Sequence, residues 1–212
     1  MEKLERYKGD LSLEQLILAR NKIIKNAKAL YEEATLLYEN SKFARAHFLL
    51  CIANEELGKS LIVTSAIVDL IAEKIDWNKF WKQLRNHKDK TRIIEHAENI
   101  LVSSDEDFTD PENIQKVIPV LEELKMASLY SDMFQNNFFE PNELIPQFMV
   151  APYHRLTGNR LEFFSSIAAS DETLRNAKKE DILKFQSRLH SIMSDYDNDN
   201  SGGDPNVQDI FV

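Results

Sequence analysis

Phe43-Ala-Arg-Ala-His-Phe-Leu-Leu-Cys-Ile-Ala-Asn-Glu-Glu-Leu-Gly-Lys59 runs without interruption into Ser60-Leu-Ile-Val-Thr-Ser-Ala-Ile-Val-Asp-Leu-Ile71, and this stretch decides the fold. Its apolar residues, among them Phe43, Phe48, Leu50, Ile52, Leu57, Ile62, Val63 and Ile67, occupy most sides of a helical wheel. A helix apolar nearly all round belongs at the centre of a bundle. We expect it from Ser41 to about Lys74. Its longest apolar run, Leu61 to Ala72, is too short to span a bilayer and contains Asp69.

Working outward, a preceding helix is expected from about Ser12 to Asn40. Ser12 followed by Gln15 reads as a capping box. Leu16, Ala19 (or Ile23), Ala27, Leu30, Ala34 and Leu37 recur at helical spacing. A third helix should run from Asp76 to about Val102, with the stripe Phe80, Leu84, His87, Thr91, Ile94 and Leu101, and an acidic, turn-like segment follows from Ser103 to Pro111. A fourth is expected from Glu112 to Phe139, with Pro119 either kinking it or opening a second piece. Pro141, Pro146 and Pro152 then mark an irregular crossing of about twenty residues. A short helix (Leu161 to Ala169) and a last one (Asp171 to Tyr196, seam Ile182, Phe185, Leu189, Ile192 and Tyr196) complete the chain. The expected fold is all-α, an up-and-down bundle of about four long helices with additional C-terminal helices. We divide it as 1–140 (bundle), 141–197 (C-terminal helical extension packed on it) and 198–212 (acidic flexible tail).

Composition agrees with this reading. Five glycines in 212 residues are too few for the turns of a sheet-rich fold. The formal charge is −9, and five unopposed aspartates fall between Asp195 and Asp209. This balance argues against a broad basic face for DNA. A single cysteine, Cys51, excludes an intrachain disulfide and fits a reducing compartment. MEKLERYKGD has no signal-peptide core. We expect a cytoplasmic protein with no membrane partner.

Chemistry concentrates in the second helix. Glu55 and Lys59 stand four residues apart on a face shared with Phe48, Ile52 and Ile62. An ion pair in an apolar stripe costs desolvation, and a fold needs a reason to keep it; the pair could equally sit at the edge of the stripe, in solvent. Glu56 adds a second carboxylate. Gly58 costs about 1 kcal/mol against alanine in a helix, which points to another backbone passing close by. His87 falls where a core residue belongs, with Arg85, Lys88 and Lys90 beside it. Tyr130 and Asp132 interrupt an apolar run on the fourth helix. Buried polar groups require partners, so Glu55 or Glu56, Lys59, His87 and Tyr130 or Asp132 should converge between the second, third and fourth helices. Asp197-Asn-Asp-Asn-Ser-Gly202 matches half of an EF-hand loop, but its twelfth position is Gln208, so we read it as a solvated tail.

Three segments together carry a family resemblance. Ala44 to Lys59, Phe80 to Lys90 with His87 and Lys90 as an H-x-x-K pair, and Ala127-Ser-Leu-Tyr-Ser-Asp132 resemble the successive motifs of the AbiV family. These are bacterial abortive-infection (phage-resistance) proteins of the HEPN helical superfamily. The resemblance covers roughly residues 15 to 140. It implies a HEPN-like bundle that forms a homodimer, is activated by a phage-encoded protein and inhibits translation, with the translation machinery or RNA as further partners. Ribonucleases of the superfamily pair an Arg with a His that has four to six residues between the two. In this chain Arg85 and His87, Arg45 and His47, and Arg188 and His190 have one residue between them, and Arg92 and His96 have three. The usual metal-independent cleavage therefore does not carry over. No cofactor or metal site is expected, since H-E-x-x-H and paired Glu-x-x-His motifs are missing.

Three functions follow. The first is an abortive-infection effector acting through protein–protein recognition of a phage component. The second is an atypical ribonuclease or nucleotide-binding module using Glu55, Glu56, Lys59, Arg85, His87, Lys90, Tyr130 and Asp132. A third is a non-catalytic nucleotide or small-ligand module in the bundle core. A dimer is also suggested by the aromatic surface of Phe134, Phe138, Phe139, Phe148, Phe163 and Phe164.

Overall fold

The computed structural model describes residues 5–102, 111–134, 136–167 and 170–184. The expected turn at 103–110, the seam beyond Leu183 and the acidic tail lie outside them. Helix α1 (Leu13–Glu39) begins at the capping box read from the sequence: the Ser12 side chain accepts from Gln15 N, and Gln15 returns the bond to Ser12 N. Ser41, at a φ of 58°, turns the chain into α2 (Phe43–Ile71). Ala27 and Ala34 on α1, and Ala44, Ala46 and Ala53 on α2, are fully buried. Small side chains let the two long helices approach closely.

Beyond α2 the structure departs from the expected single helix. Asp76 caps α3 (Trp77–Arg85) by accepting from Asn78 N and Lys79 N. Asn86 is extended (φ −86°, ψ 118°), and its side chain accepts from Lys88 N, so it closes one helix and caps the next, α4 (His87–Val102). Helix α5 (Pro111–Ala127) contains Pro119. It stops twelve residues short of the expected end, and a hairpin follows, β1 (Asp132–Phe134) and β2 (Asn137–Phe139), with Met133 opposite Phe138. Asn136, at a φ of 67°, supplies the left-handed corner that such a tight turn demands.

The expected irregular crossing is instead α6 (Pro141–Leu144) and one long helix, α7 (Gln147–Ile167), which continues through Pro152. Pro152 sits on the exposed side of the second turn, where water can serve the carbonyl that loses its donor. Helix α8 (Asp171–Asn176) is capped by Ser170 and ends at extended Ala177; residues 179–184 are helical again.

The core runs the length of α1 and α2. Leu16, Ile17, Ile62, Val63, Ile67 and Phe80 close one end. Ala34, Ala44, Leu50, Ile145 and Val150 close the other, and Ala27, Leu57, Ile94, Leu161 and Phe164 fill the middle. The segments α6 and α7 therefore complete the same core as the first two helices. Phe164 is part of it, whereas Phe138 and Phe148 are exposed. No helix among the described residues is long and apolar enough to cross a membrane.

Candidate functional site

Glu55 lies at the middle of α2 and is 4% exposed. Oε1 accepts from Lys125 Nζ at 2.8 Å. Oε2 accepts from His87 Nδ1 at 2.5 Å and stands 3.4 Å from Lys90 Nζ. Lys125 also donates to Glu122 Oε2 at 2.6 Å. Three helices meet at this carboxylate. The break at Asn86 starts α4 beside it, placing His87 in the first position and Lys90 one turn later, while α5 brings Lys125 and Glu122. The close approach read from Gly58 is real: a Cβ there would fall 2.1 Å from the carbonyl oxygen of Lys90.

The charges nearly cancel. Two carboxylates face two ammonium groups, so the buried ions are paired as they must be. Burial raises the pKa of Glu55, but the hydrogen bonds from Lys125 and His87 and the Lys125 charge outweigh it, leaving the carboxyl below its ordinary range. Burial likewise opposes the charge on Lys125, and Glu122 and Glu55 overcome it and raise its pKa. With Glu55 ionised, His87 Nδ1 must be the donor. The His87 side chain is 63% exposed. It stands at the mouth of the cluster, not in the core as its place on the stripe suggested, because the break at Asn86 rotates α4 away from the register of α3.

Two further polar networks adjoin the first. Asn54 donates to Thr157 Oγ1 and accepts from Arg160 Nη1, both at 2.8 Å, and Arg160 Nη2 donates to Glu95 at 2.9 Å. Thr157 and Arg160 are 0% and 2% exposed. Two turns back along α2, His47 Nδ1 lies 2.6 Å from Ser128 Oγ, which itself donates to the Leu124 carbonyl, so the ring nitrogen donates. Burial lowers the His47 pKa to about 4 and raises that of the neighbouring Cys51 to about 12. A cavity of about 10 Å³ lies between Cys51, Asn54, Glu55, Lys125 and Tyr153. That is room for about one water molecule.

Of the residues singled out from sequence, Glu55, His87 and Lys90 converge. Lys59 pairs with Glu56, three residues back, and not with Glu55. Arg85 turns toward the N-terminal segment, donating to the Tyr7 carbonyl at 2.7 Å. Tyr130, in the bend after α5, is 57% exposed, and Asp132 accepts only from the next residue's N–H at 2.8 Å. Both leave the expected cluster because α5 ends before them. Sequence reading missed Lys125, whose signal was its position between Leu121, Leu124 and Ser128 on an apolar face. It also missed Arg160, which sits on the helix that the prolines concealed.

Comparison with known proteins agrees with this architecture. The family model described as AbiV, of the HEPN group, matches residues 15–161, reaching into α7 and beyond the motifs read from the sequence. No curated protein and no solved structure matches the chain. The match spans α1 to α7 and includes all members of the Glu55 cluster. The chain belongs to the AbiV family of HEPN abortive-infection defence proteins.

Proposed function

We propose that this defence protein acts by recognising a phage component through protein–protein contact and, once engaged, inhibiting translation, as a homodimer in the cytoplasm. The observation that supports this reading best is the state of the charge cluster: Glu55 is neutralised by the chain's own lysines, and the space beside it admits a water molecule and nothing nucleotide-sized. A pocket that binds a small molecule is typically tens of times larger, about 300 Å³ or more. The test is a reconstituted bacterial translation reaction containing purified protein, with or without clarified extract of phage-infected cells, against the same extract alone. Reporter synthesis should fall only when protein and infected extract are combined, with ribosomal, transfer and messenger RNA intact. Unchanged synthesis would overturn the reading.

A second reading, an atypical HEPN-type ribonuclease, is favoured by one observation. Glu55 accepts from Nδ1 of a largely exposed imidazole, the orienting contact of a general-base dyad. In that case the same reactions show RNA fragments, and His87→Gln abolishes them while leaving the fold intact.

A further inference from the structure

The segment 5–11 has no regular secondary structure and lies across α3. It is read there almost entirely through its backbone. Arg85 Nη2 donates to the Tyr7 carbonyl at 2.7 Å, and Trp81 Nε1 donates to the Gly9 carbonyl at 3.1 Å. The spacings match. Trp81 and Arg85 are four residues apart on a helix, a rise of about 6 Å, and carbonyls two residues apart on an extended chain are separated by about 6.5 Å. The Tyr7 ring stands edge-on to Trp81, centroids 6.0 Å apart, and the Arg85 guanidinium lies 5.2 Å over the same indole. Tyr7 then folds back so that its hydroxyl donates to the Asp10 carbonyl at 3.0 Å. Glycine leaves room for this hook, since a Cβ at residue 9 would lie 2.5 Å from the Tyr7 hydroxyl oxygen and push the ring aside.

We propose that the Trp81–Arg85 face of α3 is a docking surface for an extended segment of a protein partner, one with an aromatic residue followed two positions later by glycine, and that residues 7–10 are its resident stand-in. This rests on the reading of the chain as a recognition protein. Two donors and an aromatic edge constitute a sequence-lenient mode of peptide capture, with the backbone giving affinity and one side chain giving selectivity. The resident segment is poised to leave. Tyr7 is 59% exposed, and residues 5–8 and 10 are all exposed, so few buried contacts hold it. Its departure frees the Arg85 guanidinium two residues from His87 at the mouth of the Glu55 cluster. A partner that takes its place thus engages Arg85, two residues along the chain from His87.

The chain has two tryptophans, so the full-length ¹⁵N-labelled protein shows two indole N–H signals, and Trp77→Phe assigns them. The Trp81 signal should sit away from the free-indole position and move to it in Tyr7→Ala, while the Trp77 signal and the melting temperature stay unchanged. A blocked peptide spanning Glu5 to Asp10, titrated to millimolar concentration, should return the Trp81 signal saturably in Tyr7→Ala. Adding Arg85→Ala should raise the half-saturating concentration about tenfold, the effect of losing one charged donor. A Trp81 signal indifferent to Tyr7→Ala, or to the peptide, overturns the proposal. Neither phage component nor ribosome enters this experiment, so its outcome is separate from that of the translation reading.

Discussion

Gly58→Ala sets two known effects against each other, and the structure decides the sign. In an ordinary exposed helix the change would stabilise by about 1 kcal/mol. Here the new Cβ meets the Lys90 carbonyl oxygen at 2.1 Å and its carbon at 2.8 Å, both backbone atoms. Ordinary contact begins near 3.4 Å, so α4 must retreat by about 1.3 Å. Backbone shifts forced by one surplus methyl group cost about 1–3 kcal/mol, and this displacement belongs at or beyond the upper end because no side chain can rotate to relieve it. It also draws His87 and Lys90 away from Glu55. The net expectation is a loss of about 2 kcal/mol, which for a chain of this size lowers Tm by about 4–8 °C. Thermal unfolding by circular dichroism, with urea titration as a second measure, checks it. A Tm equal to or above that of the wild type would refute the claim that α2 and α4 touch backbone to backbone at this glycine.

Three other expectations follow from the same geometry. Glu55→Gln leaves Lys90 buried without a counter-charge and should cost about 3 kcal/mol, twice or more the effect of His87→Ala in the same urea titration. His87→Ala itself removes one hydrogen bond at an exposed ring while Lys125 and Lys90 still hold Glu55, so a loss of about 1 kcal/mol is expected. A drop as large as that of Glu55→Gln would return His87 to the core. The third concerns pH. His47 has a folded pKa of about 4 against 6.5 for the free residue, so the unfolded chain binds the extra proton between those values. Stability is then full above pH 6.5 and falls by about 3 kcal/mol as pH drops toward 4. Glu55, with its pKa lowered from 4.5, adds a further loss below that. His47→Gln should flatten the slope between pH 6.5 and 4, and an unchanged slope would show that His47 is not the group responsible.

The first two helices were legible because their signals are local: a capping box at Ser12 and Gln15, then apolar residues at helical spacing. Glu55 was legible too, as a carboxylate with apolar neighbours in every direction. The α3–α4 break was not, since Leu84, His87 and Thr91 keep a helical period straight through Asn86. What bends the chain there is tertiary, the docking of the start of α4 on Glu55 and Gly58. Pro152 misled in the opposite way. A proline in the second turn of an exposed helix face costs less than the burial of Ile145, Val150 and Thr157 around it provides. Lys125 escaped because a lysine on an amphipathic helix ordinarily reaches water, and nothing within α5 announces a buried carboxylate from seventy residues earlier.

Cys51 gives this protein a built-in clock. The lone thiol is 7% exposed and, with burial raising its pKa to about 12, holds only about one thiolate in ten thousand near pH 8. Alkylating reagents attack the thiolate, so the folded molecule is inert to them and labelling reports each opening of the bundle core. Mass spectrometry after timed labelling with iodoacetamide would count those openings with no tag or engineered probe, and Gly58→Ala should make the clock run faster.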